Sequence, residues 1–177
     1  KPPTVLNGSI DLREWDFNRD GIVPLDGMWE FYWGEFIDPQ IFKKEGSCLS
    51  SSPEILECKE FLKVLEKKNN VYIPNNWSSY TLKENPEKSL GAYGFATFRL
   101  KIYFESQSVK LLKINPVGTA QNIYVNGKLY FTSGKIGKSE SESIPHESIT
   151  NISLDPELNA IDLIIHVSNF HSKTGGI

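Results

Sequence analysis

Apolar and polar positions alternate with a period of two over much of the chain. From Gly94 to Phe104, Ala96, Phe98, Leu100, Ile102 and Phe104 share one face, and Phe95, Thr97, Arg99, Lys101 and Tyr103 share the other. This pattern predicts a strand with one face in a core. Ala160 to Ser168 alternates likewise, with Ile161, Leu163, Ile165 and Val167 inward and Asp162, His166 and Ser168 outward. Between Ile123 and Phe131, Asn126-Gly127 separates two alternating runs, which is the strongest short-range hairpin signal. Residues 109–115 and, more weakly, 149–154 read as further strands. Residues 22–33 read as strand, Asp26-Gly27 turn, strand. Tyr72 to Trp77 reads as a short extended piece ending in a turn, and Gly134 to Pro145 as a polar loop.

Only residues 34–70 have helical character. Ser51-Ser52-Pro53-Glu54 has the spacing of a capping box, with Pro near the first turn. Ile55, Phe61, Leu62 and Leu65 form an imperfect apolar stripe. Lys63, Glu66, Lys67 and Lys68 face water, and Asn69-Asn70 ends the segment. Short strands punctuated by Gly, Pro and Asn predict an all-β sandwich or barrel with a short helical insertion at about residues 42–70. The absence of alternating crossover helices excludes a nucleotide-binding α/β fold.

Composition narrows the class. The 177 residues suit one domain, 1–177, and 39% are apolar. A chain of this size buries about 70% of its surface on folding. The net charge of −3 provides no electrostatic footprint for nucleic acid. No run of eighteen apolar residues spans a membrane. The opening Lys1-Pro2-Pro3-Thr4 reads as a processed start or a fragment, and Thr174-Gly175-Gly176-Ile177 as a natural end or a cut from a longer chain.

Candidate chemistry is sparse. Cys48 and Cys58 lie in no CxxC pair and have no His-rich neighbour, which argues against zinc. They form either a disulfide closing a short loop or two independent thiols. Asp16-Phe17-Asn18-Arg19-Asp20-Gly21 resembles the start of a calcium loop, but its twelfth position is Gly27 rather than Glu. A turn is the better reading, and no metal or other cofactor is expected. No nucleophile elbow, zincin motif or phosphate loop is present, so no catalytic residue is expected.

The polar face of the 94–104 strand carries more promise. Arg99, between Thr97, Lys101 and the rings of Phe95 and Tyr103, offers fixed donors beside aromatic planes, a combination suited to sugar rings or carboxylates. His166, Ser168, Asn169 and His171 join this face if the last strand shares the sheet. Cross-strand pairing on a covered face is the alternative. Trp15, Trp29, Trp33 and Trp77 read as core or lid residues, with Trp77, in a loop, as the exception open to ligand. The candidate ligand-binding set is therefore Arg99, Trp77, Tyr103, His166, Asn169 and His171.

Several segments in series extend this reading: Leu25-Asp26-Gly27-Met28-Trp29-Glu30-Phe31-Tyr32-Trp33, Tyr72-Ile73-Pro74-Asn75-Asn76-Trp77, Gly94-Phe95-Ala96-Thr97-Phe98-Arg99-Leu100, Tyr124-Val125-Asn126-Gly127, and Val167-Ser168-Asn169-Phe170-His171 with Gly175-Gly176 beyond. Their order resembles the extracellular sensor domain of bacterial seven-transmembrane receptors with diverse intracellular signalling modules. It is also similar to the sugar-binding domain of family 2 glycoside hydrolases, in the arginine-bearing strand and the Val-Asn-Gly hairpin. The resemblance implies a jelly-roll, galactose-binding-like β-sandwich in the periplasm, joined through a following transmembrane region to the inner membrane. The partners it implies are a small-molecule ligand, a saccharide among the candidates, and the membrane helices of its own full-length chain; a homodimer is compatible with it. On this reading the domain is not an enzyme, although a cytoplasmic cyclase, kinase or phosphatase can follow it. A carbohydrate-binding accessory module of a secreted hydrolase and a structural or dimerising domain are the alternatives. Two departures stand out: the 42–70 segment has no place in the pattern, and Met28 stands where an acidic residue is common.

Overall fold

The computed structural model describes residues 1–50, 56–105 and 110–177, with side chains described outside 51–57 and 106–109. The capping box at Ser51–Glu54 and the stripe residue Ile55 lie outside the described residues.

The alternating segments form a mixed sheet with strand order β3-β2-β6-β11-β8-β9. Its strands are β2 (Gly27–Trp33), β3 (Asn69–Ile73), β6 (Gly94–Tyr103), β8 (Ala120–Val125), β9 (Lys128–Ser133) and β11 (Ala160–Asn169). Strand β1 (Ser9–Asp11) runs parallel to β6 at Lys101–Tyr103, beyond the point where β2 leaves it. Strands β7 (Lys110–Ile114) and β10 (Thr150–Leu154) form a separate antiparallel ribbon. A small hairpin joins β4 (Thr81–Leu82) to β5 (Asn85–Ser89). Four α-helices are described, α1 (Phe17–Asp20), α2 (Pro39–Phe42), α3 (Glu45–Ser50) and α4 (Leu56–Glu66), and one 3₁₀ turn at Trp77–Ser79.

The long pairing of β6 with β11 fixes the register of both faces. Leu100 stands opposite Leu163, Phe98 opposite Ile165 and Ala96 opposite Val167. These residues join Phe31, Trp29, Val71, Ile123 and Val125 on the inner face. Leu112, Ile114, Ile152 and Leu154 of the β7–β10 ribbon close the other side of that core. Two layers of mostly antiparallel strands with apolar faces inward make a β-sandwich. Asn126 and Gly127 have φ of 49° and 79°, as a two-residue type I′ hairpin between β8 and β9 requires.

A second apolar cluster lies on the opposite face of the same sheet. Tyr32 and Ile164 meet Ile37, Phe42, Cys48, Cys58, Phe61 and Val64 of the helical insertion. Cys58, Phe61 and Val64 recur at helical spacing, so α4 has an apolar stripe to lay on the sheet. Cys48 and Cys58 are bonded to each other, with Cα atoms 5.2 Å apart, and tie α3 to α4. The helical cover is therefore larger than expected and begins at Pro39.

Two segments differ from expectation. Residues 22–25 form no strand; they lack a ladder partner, Pro24 has no donor, and the Trp29 indole fixes the turn by donating to the Leu25 carbonyl at 2.8 Å. Asn69-Asn70 does not merely end a helix but begins β3, with the Asn69 side chain bridging Lys67 and Lys83.

Candidate functional site

The expected ligand face is closed. Thr97, Arg99, Asp162 and His166 do point away from the main core, but the insertion lies over them. Arg99 is 1% exposed. Its Nε and Nη2 donate side-on to Asp162 at 2.9 and 2.8 Å. Nη2 also donates to Glu45 at 2.8 Å, and Nη1 to Glu30 at 3.2 Å. The Phe42 ring covers the guanidinium, 4.1 Å from its central carbon. Lys101 joins Glu45 at 3.1 Å and Lys68 approaches Glu30 at 3.7 Å, so three cations balance three carboxylates. Arg99 and Lys101 come from β6 and the others from four further places: Glu30 from β2, Glu45 from α3, Asp162 from β11 and Lys68 from the turn after α4. The cluster clamps the insertion to the sheet.

Burial alone would lower the Arg99 pKa and raise that of Glu45. In Arg99, hydrogen bonds and attraction from Asp162, Glu45 and Glu30 outweigh burial and push the pKa above its ordinary value. In Glu45, Arg99 and Lys101 outweigh burial and hold the carboxyl below its usual 4.5. A carboxylate depressed in the folded state stabilises above its unfolded pKa, and that stability is lost as pH falls through the folded value. The insertion is therefore expected to loosen below about pH 4.5. Thermal melts from pH 6 to pH 3 check this: Glu45→Gln should be less stable at pH 6 and should flatten the acid decline. An unchanged acid slope would remove Glu45 from the account.

The remaining predicted residues do not converge. Trp77 is fully buried in the main core, which corrects its reading as a loop platform. His166 is buried and donates through Nε2 to the Ile37 carbonyl at 2.8 Å; burial lowers its pKa and keeps it neutral at pH 7. Asn169 is buried and its Nδ2 donates to the carbonyls of Ala92 and Ser172, each at 2.8 Å. His171 is exposed beside the Ser143 hydroxyl at 3.0 Å. Tyr103 is 38% exposed and, with Lys101, Asn126 and Asp162, lines a shallow hollow of about 170 Å³ at the open rim of the clamp. Arg99, Trp77, His166 and Asn169 thus serve internal contacts, because the insertion and the loop ends cover them.

The calcium-like segment is a capped helical turn. The Asp16 carboxylate accepts from the amides of Asn18 and Arg19, and Asp20 pairs with Arg19 at 2.6 Å. Among the described residues, no group of three or more His, Cys, Asp or Glu side chains is placed to hold a metal ion.

A different groove was missed. Trp33, at the end of β2, lines a depression of about 290 Å³ with Leu82, Asn85, Lys88, Ser89, Leu90 and Gly91. The β4–β5 hairpin forms its wall. Gly94 makes the ring position available: a Cβ there would come within 2.4 Å of the Trp33 six-membered ring. Trp77 packs edge-on behind Trp33, with centroids 4.9 Å apart and planes at 86°. Asn85, Lys88 and Ser89 are exposed and bring amide, ammonium and hydroxyl groups to the groove. Their polar run has no alternation or motif; the hairpin that carries them is set by the pairing of Thr81 with Ser89 and of Leu82 with Asn85.

No protein-family model and no curated protein matches the chain. Among solved structures it is similar to the β-glucuronidase of Faecalibacterium prausnitzii, at 14% identity and a TM-score of 0.50, over 82% of this chain and 20% of that one. The β-glucuronidase of Ruminococcus gnavus matches at 15% identity and a TM-score of 0.45, again over 82% of this chain and 20% of that one. The chain spans about a fifth of the length of these enzymes. The likeness is one of fold: the chain is an all-β sandwich domain with a helical insertion. Among the described residues, no helix is long and apolar enough to cross a membrane.

Proposed function

We propose that this chain is the extracytoplasmic ligand-sensing domain of a bacterial seven-transmembrane receptor, with a carbohydrate-binding-like sandwich that receives a small polar ligand against Trp33. The groove carries the binding part of this reading. An indole ring beside amide, ammonium and hydroxyl groups suits a hydroxylated ring with apolar C–H faces. Its volume of about 290 Å³ lies at the lower edge of the range for ligand pockets, which restricts the guest to a small one. The receptor setting rests on the serial motifs from Leu25 to Gly176. A neutral or weakly acidic saccharide is the favoured ligand, since Lys88 is the charged group lining the groove. The domain carries no catalysis of its own on this reading.

A saccharide panel in a thermal-shift assay tests the proposal. A ligand at a hundred times its Kd adds about 2.7 kcal/mol, or roughly 5–10 °C for a domain of this size. Replacing Asn85 and Lys88 together by Ala, both exposed, should abolish the shift and leave the unliganded Tm unchanged. A shift that survives this change places the ligand elsewhere.

The second reading is a carbohydrate-binding accessory module of a secreted hydrolase, favoured by the sandwich shared with a β-glucuronidase. Full-length sequence separates the two: membrane helices following the domain support the receptor, and a catalytic barrel supports the module.

A further inference from the structure

The inner face of the sheet carries a polar anomaly that the groove does not explain. Gln121 is fully buried, yet neither its Nε2 nor its Oε1 has a hydrogen-bond partner. The Nε1 of Trp77, also fully buried, has none either. Orphaned buried polar atoms are uncommon in native proteins and call for a partner.

The two side chains share one level of the sandwich. Trp33, Ala96, Val167, Gln121 and Ser133 stand opposite one another on five adjacent strands. Gln121 alternates with Ile123 and Val125, so it lies on their inner face. Trp77 packs on Trp33 at the other end of this row. Ala96 and Val167 stand between Trp33 and Gln121 in this row, so only apolar groups separate them there. The chain end roofs this end of the sandwich: the Trp77 amide donates to the Gly175 carbonyl at 2.8 Å, and Gly176 bridges to both Asn76 and Gly118. Gly175 is needed there, since a Cβ would lie 2.9 Å from the Trp77 ring.

We propose that this level holds two neighbouring hydroxyl oxygens, supplied either by the vicinal diol of a neutral guest or by two waters. The chemistry follows from the unpaired atoms. A carboxamide presents a donor and an acceptor side by side. Its Nε2 donates to one oxygen, the second oxygen donates to Oε1, and the single indole N–H donates to one of the two oxygens. None of the five residues of the row is charged, so nothing there balances an acid or a phosphate. The proposal does not depend on the Trp33 groove.

Crystals of the intact chain, with and without soaked cis-1,2-cyclohexanediol, test it. Two waters within hydrogen-bond reach of Gln121 and the Trp77 indole, or the diol in their place, support the proposal and identify the source. A dry level, or a Gln121 amide paired to the backbone, overturns it. In solution, the 1,2-diol should raise the wild-type Tm by about 2 °C or more, and the 1,4-isomer should not. Gln121→Met should lose that response, whereas the Asn85→Ala, Lys88→Ala double variant should keep it. If water is the occupant, neither diol acts and Gln121→Met lowers the Tm. A Gln121→Met protein more stable than wild type, with no diol response in either, also overturns the proposal.

Discussion

Arg99→Ala is expected to destabilise the domain by about 3–5 kcal/mol, because it strips the partner from the buried Glu30 and the half-buried Asp162. Glu30 is 2% exposed and keeps only the Tyr32 hydroxyl at 3.0 Å and the more distant Lys68, while Asp162 loses both of its side-on bonds. For a domain of this size, the loss corresponds to roughly 6–20 °C in Tm. Arg99→Lys should recover only part of it, since one ammonium cannot repeat four donor contacts in a fixed plane. Calorimetry of the two variants decides the matter. A Tm within 2 °C of wild type for Arg99→Ala would mean that the cluster does not clamp the insertion.

The second large effect concerns the disulfide. Cys48 and Cys58 close a loop over a sequence separation of 10, and opening it is expected to cost about 3 kcal/mol. Both residues are buried in the cluster between insertion and sheet, so paired Ala substitutions also remove packing there. Melting with and without a reductant should separate the wild type by roughly 6–12 °C, and the Cys48→Ala, Cys58→Ala protein should not respond to reductant. Cys48 lies one helical turn from Glu45 on α3, so the bond and the Arg99 clamp hold the same element. Their losses should therefore sum to less than the separate values, as for groups in one network. Strict additivity would mean that the two act on independent parts of the fold.

Much of the sandwich was legible in the chain because its signals are local. The alternation in β6 and β11 and the Asn126-Gly127 turn depend only on neighbouring residues, and each appears where the pattern puts it. The fate of the Arg99 face depends on contacts that no local pattern carries. Its partners Glu30, Glu45 and Asp162 lie 69, 54 and 63 residues away in sequence. The strand pattern correctly separates Arg99 from the core residues, but alternation only distinguishes faces. It does not show what lies over the second face, and here the unplaced insertion does. The tryptophans illustrate the same limit. Trp77 sits in a polar loop sequence, yet the chain end folds over it. Trp33 ends an apolar strand, yet an exposed polar hairpin turns it into a groove wall.

The central claim is that the guest meets the domain at Trp33 and not at Arg99. A ¹H–¹⁵N correlation experiment, run during titration with the saccharide that raises the Tm most, observes both side chains directly. The account predicts that the Trp33 indole N–H and the amides of Asn85, Lys88 and Ser89 shift, while the Arg99 Nε–H stays still behind its carboxylates. Movement of the Arg99 Nε–H together with Tyr103, over an unmoved Trp33, would contradict it.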